Sequence, residues 1–169
     1  MKNKNLLIVR AGEYGIMAKK IAEEMDYFDK IDFLDDKNVE TIGNVEDVEN
    51  FYPEYMYAIA LCEDGEERIE LNKKLEESRF VVPNLVHTKS LISPSANLLK
   101  GGVVEPGAVI ESQTTIGVGS IVGANCVVEH HCFIGDGSLL KAGTIVHANT
   151  VLTVGSVTEY DSILLESLV

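Results

Sequence analysis

Between Val103 and Ser156 the sequence, cut every six residues, reads VVEPGA VIESQT TIGVGS IVGANC VVEHHC FIGDGS LLKAGT IVHANT VLTVGS. The same period runs without insertion from about Leu91 to about Leu164, and the second position of each hexad is aliphatic except at Thr158. An inward aliphatic residue followed by a tight corner gives short strands around a triangular prism, whose coils stack about 4.8 Å apart. The pattern predicts a left-handed parallel β-helix, because an ordinary sandwich or barrel would not keep this period.

The fifth position of the hexads is mostly Gly, Asn or Asp. A corner of such a helix needs a left-handed backbone, which glycine adopts without penalty and Asn or Asp tolerate. Left-handed corners are predicted at Gly101, Gly107, Gly119, Asn125, Gly137, Gly143, Asn149, Gly155 and Asp161.

The first half of the chain has a different pattern, in which short apolar strands alternate with segments of helical spacing. Such alternation is typical of a parallel α/β sheet. Strands are predicted at Leu6–Val9, Lys30–Leu34, Tyr57–Leu61 and Arg79–Val82, and helices at about Ile16–Met25 and Glu66–Glu77. We expect a small Rossmann-like domain over residues 1–85 and a β-helix domain over residues 86–169, closely packed because the junction lacks linker composition.

Composition excludes several classes of protein. The formal net charge of −13 argues against binding to nucleic acid or to an anionic membrane, since both require a basic surface. Three cysteines without a CxxC pair argue against a disulfide framework and a metal site. No apolar run approaches the roughly 20 residues of a membrane span, and the apolar Leu6–Val9 is too short for a signal peptide. We expect a cytoplasmic protein.

The segment Arg10–Gly15, RAGEYG, follows the first strand and opens the first helix. A glycine-rich turn in this place presents backbone N–H groups to a pyrophosphate, although Arg10 stands at the first glycine of the GxGxxG pattern. Asp35 and Asp36 end the second strand, where an acid can bind a ribose hydroxyl. A tight turn followed by two loop acids is the alternative. The missing glycine and the lack of a second nucleotide-binding half disfavour a dinucleotide-dependent dehydrogenase.

Glu129, His130 and His131 form the densest chemical cluster. His130 occupies an outward hexad position, His131 a corner, and Glu129 should lie beside His147 one coil further on, 18 residues later. The pattern leaves open whether this is a reactive site or a set of surface histidines. A metal site is disfavoured because corners splay adjacent side chains apart.

Several short motifs, in this order and spacing, resemble the bacterial sugar O- and N-acyltransferases, which include UDP-bacillosamine N-acetyltransferase and sialic acid O-acetyltransferase. The resemblance covers nearly the whole chain. Besides the glycine turn, the motifs are Phe33–Asp36, Ile59–Cys62, Asn84–His87, Leu91–Ala96, Val128–His130 and Cys132–Gly135.

The resemblance implies a homotrimer that transfers an acetyl group from acetyl-CoA to an amine or hydroxyl of a nucleotide-linked sugar, such as a UDP-amino sugar, in surface-glycan biosynthesis. His130 would be the general base, with Glu129 and His131 beside it, and no metal is implied. By position, the nucleotide sugar would contact Gly12, Glu13, Tyr14, Asp35, Asp36 and Cys62, and acetyl-CoA would contact Lys141 and Gly143.

The chain departs from the family pattern at several positions. His131 replaces an acid, so we expect it to contribute less than His130, and Leu139 replaces a second histidine. The family's β-helix has further coils, and Lys141 is the only basic residue from Gly101 to Val169. These departures favour a second hypothesis, a catalytically weakened trimeric module that binds a nucleotide sugar or a partner protein.

Two expectations concern the surface of the β-helix. The seven residues 163–169 should cover its open end, because an uncovered coil presents unpaired backbone groups. Apolar first-position residues should face neighbouring subunits, namely Val103, Val109, Ile121, Val127, Ile145 and Val151.

Overall fold

The computed structural model describes residues 3–37 and 41–165. Its N-terminal part is a three-stranded parallel sheet in the order β2-β1-β3. The elements in chain order are β1 (Asn5–Val9), α1 (Glu13–Glu24), β2 (Lys30–Leu34), a 3-10 helix (Val45–Phe51), β3 (Tyr57–Ala60) and α2 (Gly65–Glu77). Three of the four predicted strands and both predicted helices are confirmed.

The fourth predicted strand, Arg79–Val82, is wrong. Only Val81 pairs with the sheet, through a single isolated bridge to Tyr57. Pro83 follows closely and cannot donate a ladder hydrogen bond, and Val81 remains 49% exposed.

The rest of the described chain is a β-helix of two-residue strands, each paired in parallel with the strand 18 residues away, as Ile121 pairs with both Val103 and Leu139. The predicted fold class is confirmed. The strands are β4 (Leu85–Val86), β5 (Leu91–Ile92), β6 (Asn97–Leu98), β7 (Val103–Val104), β8 (Val109–Ile110), β9 (Thr115–Ile116), β10 (Ile121–Val122), β11 (Val127–Val128), β12 (Phe133–Ile134), β13 (Leu139–Leu140), β14 (Ile145–Val146), β15 (Val151–Leu152) and β16 (Ile163–Leu164).

These strands form the three faces of the prism. Face 1 contains β4, β7, β10 and β13; face 2 contains β5, β8, β11, β14 and β16; face 3 contains β6, β9, β12 and β15. The repeat therefore begins at Leu85, before the predicted start, and the boundary proposed between residues 85 and 86 falls inside β4.

The interior of the prism and its corners match the sequence pattern. Second-position side chains such as Val122, Ile134 and Leu140 are fully buried and form one apolar core. All nine predicted corner residues have positive φ, and His131, with φ of 59°, has the same conformation.

Face 1 is covered by the α/β domain of the same chain. Its outward residues Val103, Ile121 and Leu139 pack with Leu85 against Ile21 and other apolar residues of α1. The prediction that Val103 and Ile121 face neighbouring subunits is therefore wrong, because each is fully buried within its own chain. The first-position pattern could not distinguish them from Val109, Val127 and Ile145 on face 2, which remain partly exposed, or from Val151 on face 3, which is 43% exposed.

The end of the described chain adds one strand to face 2, where Ile163 pairs with Ile145 and Leu164 with Val146. Leu164 packs against the interior core, whereas Leu165 is 70% exposed. The rest of the predicted cover, residues 166–169, lies outside the described residues. Among the residues that the structure describes, no helix is long and apolar enough to cross a membrane.

Candidate functional site

A cavity of about 490 Å³ opens where the carboxyl ends of β1, β2 and β3 meet the first turns of α1 and α2. Ligands of parallel α/β sheets bind in such crevices. Five of the six residues predicted to contact a nucleotide sugar line it, all except Asp36. The lining residues are Arg10, Gly12, Glu13, Tyr14, Asp35, Lys37, Leu61, Cys62, Glu63 and Glu67.

Arg10 shapes the rim of this cavity. Its φ of 79° is the left-handed conformation expected of the glycine that it replaces. Its guanidinium lies 3.1 Å from the Asp36 carboxylate and 2.6 Å from the Glu67 carboxylate, so it joins the ends of β1 and β2 to the first turn of α2. Burial works against its charge, but the hydrogen bond and the charge of Glu67 prevail and raise the pKa of Arg10.

Both predicted acids after β2 are already engaged by the chain. The Asp35 carboxylate accepts hydrogen bonds from the Ala11 N–H at 2.6 Å and the Lys37 N–H at 2.8 Å. Burial opposes the charge of Asp35, yet these backbone bonds outweigh it and lower the pKa. Asp36 binds Arg10 and accepts the Val45 N–H at 2.9 Å. These two acids stabilise the rim of the cavity. A ribose hydroxyl that binds either acid would therefore contact a carboxylate that already accepts hydrogen bonds from the chain.

Tyr14 and Cys62 also line the cavity. Burial, followed by the charge of Glu63, raises the pKa of the Tyr14 phenol. Tyr160 and Glu105 of the β-helix also act on Tyr14, which places the cavity beside the corner between faces 1 and 2. Burial raises the pKa of Cys62 to about 11, so its thiol is a neutral packing group at physiological pH.

Sequence reasoning missed Arg68, whose side chain is fully buried between the cavity wall and the β-helix. It donates hydrogen bonds to the carbonyl groups of Cys62 and Glu63 in the loop before α2. It also donates to the carbonyl groups of Gly119, Gly137 and Ser138. Its place in the first turns of α2, at the carboxyl edge of the sheet, is the one signal that the sequence offers.

The histidine cluster lies on the corner between faces 2 and 3, which we call the histidine corner (Glu129, His130 and His131). Both His130 and His131 are exposed. Their Nδ1 atoms lie 2.9 Å apart, and the ring planes are nearly perpendicular, at 88°. One imidazole therefore donates a hydrogen bond to the other.

Glu129 has a structural role that recurs along the β-helix. Its carboxylate accepts the Ala148 N–H at 2.8 Å, 19 residues further on. Glu105 and Glu111 accept backbone N–H groups at the same separation. Glu129 also lies 3.5 Å from His147 Nδ1, which confirms their predicted proximity. Its catalytic role stays a prediction.

The two residues predicted to contact acetyl-CoA, Lys141 and Gly143, lie on the corner between faces 1 and 2, away from the histidine corner. Lys141 Nζ is 3.5 Å from the Glu159 carboxylate and 5.3 Å from the centre of the Tyr160 ring. Leu139, which stands where the resembling acyltransferases have a second histidine, is buried against the α/β domain. One chain therefore does not bring Lys141 and His130 together. Within residues 3–37 and 41–165, no group of three metal-binding side chains could hold an ion.

Comparison with solved structures identifies proteins of the same architecture. The acetyltransferase domain of PglB from Neisseria gonorrhoeae matches 99% of this chain and 94% of its own, with a TM-score of 0.87 and 22% identity. The same domain in complex with acetyl coenzyme A matches with a TM-score of 0.75 and 20% identity, covering 96% of this chain and 93% of its own. PerB from Caulobacter crescentus, in complex with CoA and GDP-perosamine, has a TM-score of 0.77 and 16% identity over 97% of this chain and 90% of its own. The chain shares the fold of these proteins.

No family model matches the sequence. The structural matches include both parts of the chain, since each covers at least 96% of it. The match also covers 94% of the Neisseria domain, so little of that domain lies outside it.

Proposed function

We propose that the protein is an acetyltransferase that moves an acetyl group from acetyl-CoA to an amine of a nucleotide-linked sugar. One observation carries this proposal: a cavity of about 490 Å³ at the carboxyl edge of the sheet shares a chain with an exposed, paired imidazole at His130. The solved neighbours that bind acetyl coenzyme A, or CoA with GDP-perosamine, support the choice of substrates.

The chemistry requires one base. The sugar amine attacks the thioester carbonyl carbon while His130 Nε2 takes a proton from the amine. The tetrahedral intermediate then collapses, the carbon–sulfur bond breaks, and the proton passes to the leaving thiolate. Backbone N–H groups would stabilise the oxyanion.

Topology favours a site shared between subunits. The α/β domain covers face 1, whereas His130 lies on the corner formed by faces 2 and 3, which is the corner opposite face 1. The nucleotide cavity and the base of one chain therefore point in different directions. In a homotrimer, His130 of one subunit could lie beside the cavity of another, which would bring the base and the nucleotide sugar together. Apolar side chains that are exposed on faces 2 and 3 favour such contacts, among them Leu91 and Phe133.

We place the reaction in the cytoplasm, in surface-glycan biosynthesis, with a UDP-amino sugar as the first acceptor to test. The test incubates the protein with acetyl-CoA and a panel of UDP- and GDP-linked amino sugars and their hydroxyl analogues, and products are read by mass spectrometry. We expect acetylation of an amino sugar, and His130→Ala should lower the rate by roughly 10²–10⁴, the usual contribution of a positioned base. Sedimentation equilibrium should show a trimer, and a stable monomer at micromolar concentration would contradict the shared site.

A second candidate function is a trimeric module that binds a nucleotide sugar without transferring acetyl groups. The observation in its favour is that Lys141 is the only Lys or Arg from Gly101 to Val169, so the β-helix offers a single such cation to the phosphates of CoA. Equal background rates for wild type and His130→Ala, with nucleotide sugar still bound in calorimetry, would select this module.

A further inference from the structure

The contact between His130 and His131 restricts which ring nitrogens of the two side chains carry a proton. The Nδ1 atoms are 2.9 Å apart, a hydrogen-bond distance, and neither imidazole can pair in this way unless one nitrogen carries a proton and the other a lone pair. Two arrangements satisfy this requirement. His130 donates its Nδ1–H to His131, or His131 donates its Nδ1–H to His130.

The two arrangements differ in what His130 presents to a substrate. When neutral His130 donates from Nδ1, its Nε2 carries the free lone pair of a base. When it accepts at Nδ1, its proton sits on Nε2 and the ring cannot take a proton from an amine there. The orientation of the pair thus decides whether His130 is a base at its outer nitrogen.

The nearby carboxylates are engaged elsewhere. Glu111 binds the backbone N–H of His130, at 3.2 Å, and not its ring. Glu129 binds the Ala148 N–H and lies beside His147. Among the described residues, His131 is the side chain that meets the His130 ring nitrogen.

We propose that His131 is the positioning residue for His130: its Nδ1 accepts the His130 Nδ1–H and thereby holds the His130 lone pair on Nε2. This inference rests on the proposed function and assigns to His131 a larger part than the sequence pattern predicts. As Nε2 takes a proton, the His130 ring becomes positively charged, and its bond to His131 becomes charge-assisted and stronger. The contact therefore stabilises the transition state more than the ground state.

The corner backbone allows a clean test. His131 has a φ of 59°, which Gly and Asn tolerate, and Asn149 occupies the equivalent corner one coil further on with a φ of 63°. His131→Gly removes the acceptor and keeps the corner. His131→Asn keeps both, because the Oδ1 atom of Asn is separated from Cβ by the same number of bonds as the Nδ1 atom of His. Asn149→Gly is the matched control for added backbone freedom.

The measurements are kcat and KM with acetyl-CoA and the preferred amino sugar, together with ¹⁵N NMR of the His130 ring. We expect Nδ1–H and a bare Nε2 in neutral wild-type protein and in His131→Asn. In His131→Gly the proton should move to Nε2 and kcat should fall by about 10–100-fold, the range typical for loss of the hydrogen-bond partner that orients a metal-binding imidazole. The KM for the sugar should stay near wild type, His131→Asn should recover most of kcat, and Asn149→Gly should behave as wild type.

Two results would overturn the inference: a proton on Nε2 of His130 in the wild type, or a His131→Gly variant whose His130 tautomer and kcat are both unchanged. If the wild type transfers no acetyl group at all, the proposed function fails. The NMR comparison then still shows whether His131 sets the tautomer of His130.

Discussion

Replacing Arg68 with Met should destabilise the fold more than any single change at the rim of the cavity. The wild-type guanidinium donates to five carbonyl groups, and of these Ser138 also accepts the Ile121 N–H. In the variant, water can reach the carbonyl groups of the loop before α2, which lies at the open cavity. The carbonyl groups of Gly119 and Gly137 are enclosed, and each unsatisfied buried group costs about 1–3 kcal/mol.

The cost of burying the charged guanidinium offsets part of this loss, because burial lowers the pKa of Arg68 and so disfavours its charged form. We therefore expect a loss of about 2–4 kcal/mol in the free energy of unfolding, or about 4–16 °C in melting temperature for a chain of this size. Circular dichroism in a thermal scan measures it. Lys73→Met, an exposed change on the same helix, should stay within about 0.5 kcal/mol of wild type. Equal melting temperatures for Arg68→Met and Lys73→Met would refute the role of Arg68 as the clamp between the two parts.

Three further changes test the packing. Burial raises the pKa of the Cys126 thiol to about 11. The neutral thiol therefore stabilises the fold fully below about pH 8.5, and this contribution is lost as pH rises toward 11. In urea titrations over this pH range, the free energy of unfolding should fall less for Cys126→Ala than for wild type, and an equal fall would contradict the burial. Gly65→Ala places a Cβ against the Gly137 carbonyl oxygen, so it should lower the free energy of unfolding by about 1–3 kcal/mol, as measured in a thermal melt. Gly12→Ala has open space around its Cβ and should change the free energy of unfolding little. Equal effects of the two changes would count against the contact between Gly65 and Gly137. Deletion after Ser162 removes strand β16 and exposes the edge of β14, so melting temperature and solubility should both fall; a truncated protein as stable and soluble as wild type would show that β16 does not protect this end.

The β-helix could be predicted from the sequence because its rules are local. Each hexad carries its own inward aliphatic residue and its own corner, so the left-handed conformations at residues such as Asn125 and Asp161 follow from position alone. The cavity was predictable for a similar reason, since the carboxyl ends of parallel strands meet at one edge and place Gly12, Tyr14 and Cys62 together.

Contacts between the two parts of the chain could not be predicted in this way. Val103 and Val109 occupy the same hexad position, yet one is buried under α1 and the other is partly exposed, because only the docked domain distinguishes the faces. Arginine is usually exposed, so nothing in the sequence predicts that Arg68 is fully buried. The pairing of His130 with His131 depends on side-chain rotamers that hexad spacing does not fix.

Subunit mixing tests the central claim most directly, namely that His130 of one chain acts on a sugar held by another. Gly12→Trp should fill the cavity without straining the turn, because Gly12 lines the cavity and a Cβ at this residue would have no atom within 4 Å. Each variant alone, Gly12→Trp or His130→Ala, should be nearly inactive. Co-refolded mixtures should recover a substantial fraction of the wild-type rate of acetyl transfer, because some interfaces then combine an open cavity with an intact His130. Mixed oligomers that form, as shown by differently tagged subunits, yet transfer no more acetyl than the separate variants would contradict the account.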